Sequence, residues 1–236
     1  LSFNDINLTK NMYLGNLVLQ NSNSIIILND ETQIEKPKLY KVHKPYLRNL
    51  DNQAEVIVIY NEYFKKQTQD YIDFRSKTTG LTFLAVDVED IYNEFNYGKK
   101  GVQCIKDYLI YAYNNWNNHK LKYLALFGNA SWDPRQIMNG SISTDFVPVY
   151  GYPPSDYWYS LLDDDLKADI GVGRISASTI TDAENYLKKL KLYEEIPDEP
   201  WMKNFLFLSG GYNPGEIRSF SLAKYMFFDE PITQPP

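Results

Sequence analysis

The chain has 236 residues and a mass of 27.5 kDa, enough to bury a substantial core, and its 44% hydrophobic and 23% charged residues are those of a globular chain rather than a disordered one. Lys plus Arg total 24 against 30 Asp plus Glu, a net charge of −6 with no basic run longer than two residues, which gives a nucleic-acid backbone little to bind. The longest apolar stretches, such as 25–28, fall far short of the roughly 20 residues that cross a bilayer, and the single cysteine, Cys104, excludes an internal disulfide.

The first 50 residues hold β-favouring clusters at 12–19, 24–28 and 39–42, separated by Asn, Asp, Pro and Gln, and read as short strands and turns. Residues 1–54 are therefore expected to be a β-rich lead-in segment. From Glu55 the texture changes. The run Val56-Ile57-Val58-Ile59-Tyr60 is continuous and apolar, typical of a strand covered on both faces. A helix is expected over 62–76, ending at the breaker Thr79-Gly80, and a strand over 81–86.

A second unit follows, in which Val102, Ile105, Leu109, Ala112 and Trp116 recur at helical spacing and residues 123–127 supply the next strand. Residues 128–168 show no comparable period, and loops of that length in a compact domain are usually functional. Residues 170–172 read as a short strand. Thr181 with Glu184 predicts a capping box for a helix bearing Ala183, Leu187, Leu190 and Tyr193. A fifth strand is expected at 205–208 and a last helix near 216–228. The tail 229–236 has helix-stopping composition, and the expectation is that the domain is cut short there.

Alternating strands and helices predict an α/β fold: an open, mostly parallel sheet with helices on both faces, over residues 55–228. Ligands in such sheets sit at the carboxyl ends of the strands, here Asn61, Asp87, 128–133, Gly173-Arg174 and 209–215.

Cys104 lies on the helix that starts near Val102, and His119 follows 15 residues later, about 22 Å along one continuous helix axis, so the two cannot share a proton locally. His43 precedes the sheet, and Cys104 is read as a structural cysteine. Gly210-Gly211 and Gly215 stand where a phosphate cradle would, but the spacing fits neither nucleotide fingerprint and no Lys-Ser or Lys-Thr follows, so a tight turn is favoured. Asp163, Asp164 and Asp165 are hard oxygen donors suited to calcium, or solvated turn residues. Tyr150, Tyr152, Tyr157, Trp158 and Tyr159 interleave the same loop and suit either a pocket for a cationic or peptide ligand or a packed aromatic lid. Asn7, Asn129 and Asn139 each open a glycosylation-type triplet, a pattern that arises by chance in an Asn-rich chain.

Several strings, taken in order, resemble the gingipain-type cysteine peptidases: 88–95 with Tyr97-Gly98, 105–116, Tyr123-Leu-Ala-Leu-Phe-Gly-Asn-Ala-Ser-Trp-Asp-Pro134, 147–150, Ser155-Asp-Tyr-Trp158, 162–164, Asp169-Ile-Gly-Val-Gly-Arg-Ile175 and the helix ending at Tyr193-Glu194. The resemblance implies a caspase-like sandwich, a peptide or protein substrate, a secreted or cell-surface location and calcium. It implies a Cys–His dyad as well, but the family's Gly-His-Gly string does not occur. Family order places both catalytic groups after Phe228, in a remainder of the peptidase domain, so no catalytic residue is carried over. Asn129, Asp133, Asp156 and Glu216 are the candidates for the substrate pocket; Glu216 keeps an acid near that stretch, whereas Ser209 stands where some members have one. The rival reading is a noncatalytic module that binds a protein or glycan through loop 128–168. A nucleotide-binding domain built on Gly210–Gly215 ranks below both.

Overall fold

The computed structural model describes the backbone of residues 2–9 and 12–18 and, with side chains, residues 45–117, 120–131, 133–134, 137, 144–163, 165–197, 199–204, 211–219 and 222. The expected strand at 205–208, the clusters at 24–28 and 39–42, the two histidines, Asp164, Asn139, Ser209 and most of the expected last helix lie outside the described residues.

The chain divides into two compact units, Leu1–Lys44 and Pro45–Pro236. In the first, β1 (Ser2–Thr9) pairs antiparallel with β2 (Met12–Val18), with Thr9 opposite Met12 and a register shift between Asn4 and Asn7. Polar β1 carries no apolar cluster and was not foreseen.

The second unit is an α/β layer structure. Four parallel strands, β3 (Val56–Tyr60), β4 (Phe83–Asp87), β5 (Tyr123–Phe127) and β6 (Gly171–Ile175), stand in the order β4-β3-β5-β6. All of β3 is buried, because alternate residues feed opposite cores. Val56, Val58 and Tyr60 pack with Phe127, Ile175 and residues of α1 (Lys65–Thr79) and α4 (Ile180–Glu195); Ile57 and Ile59 pack with α2 (Val88–Phe95) and α3 (Val102–Asn115). The expected sheet, with helices on both faces, is present.

Three local expectations shift. The first helix runs over 65–79, not 62–76, because Asn61 caps a separate 3-10 turn, Glu62–Phe64, by accepting the Tyr63 N–H at 3.1 Å. Gly80, in the left-handed region at φ 69°, ends that helix at the foreseen breaker. The capping box of α4 is Thr179 with Asp182 rather than Thr181 with Glu184. The Asp182 N–H donates to Thr179 Oγ1 at 3.1 Å and the Thr179 N–H donates to Asp182 Oδ2 at 2.9 Å. Both pairs share the three-residue spacing, and the chain enters the helix two residues earlier than that of the favoured pair. Helix α2 was not foreseen, although Val88, Ile91, Tyr92 and Phe95 recur at 3.6-residue spacing behind the capping residue Asp87.

Contacts break at residue 44/45 rather than at the composition shift at 54/55. Residues 45–53 belong with the sheet domain because Leu47 packs on the α2–α3 core and its amide donates to Glu94 at 2.7 Å.

Candidate functional site

In-register parallel pairing sets Tyr60 beside both Asp87 and Phe127, and Phe127 beside Ile175, so the segments leaving these residues share one edge of the sheet. Asp87 caps α2, its Oδ1 accepting the Glu89 N–H at 2.9 Å. Burial pushes the Asp87 carboxyl up to about 6, with the charges of Asp90, Glu62 and Glu89 adding to the shift and the Glu89 amide opposing it. The Tyr60 hydroxyl is raised by burial and by the Asp87 charge.

Beyond β5 the chain turns at Gly128, φ 120°, where an added Cβ would sit 2.8 Å from Phe146 Cβ. Asn129 then binds on three sides. Its N–H donates to the Ala177 carbonyl at 2.9 Å, its carbonyl accepts the Phe146 N–H at 2.9 Å, and its side-chain amide donates to Ser178 Oγ. The Ser131 N–H donates to Asp145 Oδ1 at 2.9 Å, and Asp145 Oδ2 is ion-paired with Lys100 at 2.8 Å. Asp133 is buried; its N–H donates to Ser131 Oγ at 2.9 Å and its Oδ1 accepts the Ile137 N–H at 3.0 Å.

Asp156 is held by Arg174 of β6. Arg174 Nε and Nη2 donate to the two carboxylate oxygens at 2.8 and 2.7 Å, Nη1 donates to the Gly128 and Val147 carbonyls at 2.8 Å each, and Nη2 reaches the Pro148 carbonyl at 3.4 Å. One guanidinium thus ties strand β6, the turn after β5, the 147–148 segment and the 3-10 turn Asp156–Ser160 together.

The structure therefore brings Asn129, Asp133 and Asp156 to the same edge of the sheet, with Asp156 reaching Gly128, next to Asn129, through Arg174. Each spends polar atoms on backbone, on Ser178 or on Arg174, so their observed role is to hold loops. Glu216 holds a local turn, accepting the Tyr212 N–H at 2.7 Å while its N–H donates to Asn213 Oδ1 at 3.0 Å. A Cβ on Gly211 would lie 2.7 Å from Glu216 Cβ, so this glycine serves a tight turn. Sequence reasoning reached Arg174 as a strand end and part of a family string, and Asp145 as one of the loop carboxylates, and assigned neither a partner; those partners lie 14 to 46 positions away, beyond any local motif.

Asp163 and Asp165 form successive turns: Asp163 Oδ1 accepts the Asp165 N–H at 2.9 Å and Asp165 Oδ1 accepts the Lys167 N–H at 2.7 Å. Among the described residues no three Asp, Glu, His or Cys side chains group to hold a metal ion, so no calcium chemistry is derived from them. The aromatic loop is packed in part: Tyr159 is buried, whereas Tyr150, Tyr152 and Tyr157 are exposed, Tyr152 almost fully at 91%. Tyr150 stacks on Trp158 at 4.0 Å, Lys106 Nζ lies 4.2 Å from the same ring, Tyr157 donates to the Leu166 carbonyl, and buried Tyr159 donates to the Pro148 carbonyl. The cation seat on Trp158 is filled by the chain's own lysine.

Cys104 is 2% exposed, its thiol donates to the Gly101 carbonyl at 3.0 Å, and burial pushes its pKa up. A nucleophilic thiol needs the opposite shift and access to substrate. Among the described residues no helix is long and apolar enough to cross a membrane.

A family model described as Peptidase family C25 matches residues 49–234. No curated protein matches the sequence. Among solved structures, dimeric latent PorU from Porphyromonas gingivalis superposes with a TM-score of 0.52 at 19% identity over 60% of this chain and 16% of that one. The complex of the pro- and mature domains of RgpB from Porphyromonas gingivalis gives 0.44 at 19% identity over 59% of this chain and 29% of that one. The chain thus spans less than a third of the length of either.

Proposed function

The chain belongs to peptidase family C25, and from that premise we propose that it is the amino-terminal α/β part of the peptidase domain of an exported cysteine endopeptidase whose reacting thiol is not Cys104. The family implies a protein substrate. The observation that carries the proposal is the burial of Cys104, the only cysteine in the sequence, on the α2–α3 side of the sheet with a raised pKa. Peptide hydrolysis through sulfur requires a thiolate beside an imidazole and N–H donors facing the developing oxyanion. On this reading the residues described supply the frame: Arg174, Asp145 and Asn129 fix the loops at the carboxyl edge, and the thiol and imidazole come from the remainder of the peptidase domain.

The test is peptide hydrolysis by the full-length protein before and after thiol alkylation, with Cys104→Ser as the control. Expected are thiol-dependent turnover and a C104S variant that keeps its rate. A C104S variant that folds yet loses turnover overturns the assignment of the thiol, and hydrolysis indifferent to alkylation overturns the class. Export is checked by locating the protein in fractionated cells. Calcium at Asp163–Asp165 belongs to the same proposal and is supported by the oxygen-rich composition of that loop; a melting temperature that rises with added calcium and falls with chelator is its signature, and an unchanged one removes it.

A further inference from the structure

The segment that leads into β3, residues 45–53, has the composition of a junction that endoproteases nick first: it follows the boundary between two compact units, Tyr46 and Leu50 are 65% and 48% exposed, and it carries Arg48. Its structure opposes cleavage at every point where a protease must grip. The Asn49 N–H donates to the Tyr46 carbonyl at 3.0 Å and the Asn52 N–H to the Asn49 carbonyl at 3.1 Å, so two consecutive turns replace the extended backbone that a protease cleft requires. The Leu47 and Arg48 amides donate to the two oxygens of Glu94 at 2.7 and 3.1 Å. The Arg48 guanidinium lies 3.9 Å from the Phe95 ring centroid and donates to the Glu94 carbonyl at 3.2 Å, while the Arg48 carbonyl accepts the Tyr111 hydroxyl at 2.7 Å.

We propose that Glu94 and Tyr111 form a clasp that closes the Arg48–Asn49 bond to endoproteases, making residues 45–53 a guarded junction in front of the sheet domain. The amides, the side chain and the carbonyl of the susceptible residue are each engaged by α2 or α3. Glu94 is the centre of the clasp: its carboxylate is the one acceptor shared by both strap amides, and its side chain is 14% exposed beside a guanidinium that is 50% exposed. Cleavage of a folded protein follows the population in which the segment is open, so loosening the clasp raises the rate at this bond alone.

The test digests the whole 236-residue protein with an arginine-specific protease and follows the product that begins at Asn49, beside a synthetic peptide of residues 44–54. The folded protein is expected to be cut after Arg48 at least about 100-fold more slowly than the peptide, and Glu94→Ala or Tyr111→Phe to raise that rate about tenfold without accelerating cleavage after Arg75 or Arg174. Wild-type cleavage within threefold of the peptide rate overturns the proposal. So does an unchanged rate in both variants, or an acceleration shared by Arg75 and Arg174, which reports general unfolding. Should E94A fail to fold, Y111F and hydrogen exchange on the wild type decide: slow Leu47 and Arg48 amides support the clasp, and amides exchanging at the free-peptide rate sink it.

Discussion

Arg174 and Asp156 meet through two parallel hydrogen bonds, Nε to Oδ2 at 2.8 Å and Nη2 to Oδ1 at 2.7 Å, with side chains 11% and 24% exposed. The remaining guanidinium donors go to the Gly128, Val147 and Pro148 carbonyls, so the pair is the junction of three loop segments and a strand. Removing the cation takes the arginine donors from a carboxylate and from the Gly128 and Val147 carbonyls in a largely dry site, while the Pro148 carbonyl keeps the Tyr159 hydroxyl. Arg174→Met is expected to cost about 3 kcal/mol of unfolding free energy, read by urea denaturation. Arg174→Lys keeps the charge but not the planar fork, so it recovers only part of that loss. The double variant R174M/D156N should lose less than the sum of the two single changes, since the second no longer strands a charge.

Asp87 yields a pH prediction. Its folded-state pKa stands at about 6, above the ordinary 3.8, because burial disfavours its charge. A raised carboxyl favours the folded state while it is protonated; that contribution is present below the ordinary value and is lost as pH rises through about 6. Asp87→Asn keeps an N-cap acceptor for the Glu89 amide and removes the titration. The variant is expected to melt above the wild type at pH 8 and to lose that advantage by pH 4, as thermal melts across this range would record. A variant less stable than the wild type at pH 8 would show that the carboxylate is needed there for its cap.

The cap of α4 separates two threonines of equal sequence appeal. Thr179→Ala removes the acceptor of the Asp182 amide and is expected to cost about 1 kcal/mol, whereas Thr181→Ala lies inside the helix and should change stability by less than about 0.5 kcal/mol. Chemical denaturation of the two single variants resolves the difference.

What could be foreseen followed from local pattern. The run 56–60 revealed a strand covered on both faces because all five residues are apolar, and Gly80 revealed a helix end because it alone at that point adopts a positive φ without strain. Helix α2 was legible from Val88, Ile91, Tyr92 and Phe95 but hidden among residues that also matched a family string. The site was less legible. Asp156 and Asp133 were singled out as acids in a long loop, and nothing local told that one carboxylate would be held by an arginine 18 residues away and the other would accept a backbone amide. Residue type marked where polar groups gather, and only the fold determined what they bind.

Two glycines at opposite ends of the sheet separate backbone need from mere space. At Gly128 the backbone is in the positive-φ region at 120°, and an added Cβ would lie 2.8 Å from Phe146 Cβ and 3.2 Å from the Phe64 ring, both in the packed layer beneath the Asn129 loop. Neither neighbour can withdraw, because Phe146 stacks on Tyr63 at 5.3 Å and meets Phe64 at 4.7 Å. Gly128→Ala is expected to cost at least about 2 kcal/mol from strained φ and clash together. At Gly171 the added Cβ would lie 2.8 Å from Tyr123 Cδ1, but that ring is 49% exposed and can swing outward, and φ at Gly171 is outside the positive region. Gly171→Ala should therefore cost less than about 1 kcal/mol. Urea denaturation of both variants measures the contrast. Equal losses would mean that the turn after β5 owes its shape to space alone, and that the loop carrying Asn129 is less firmly set than its bonds to Ala177 and Phe146 require.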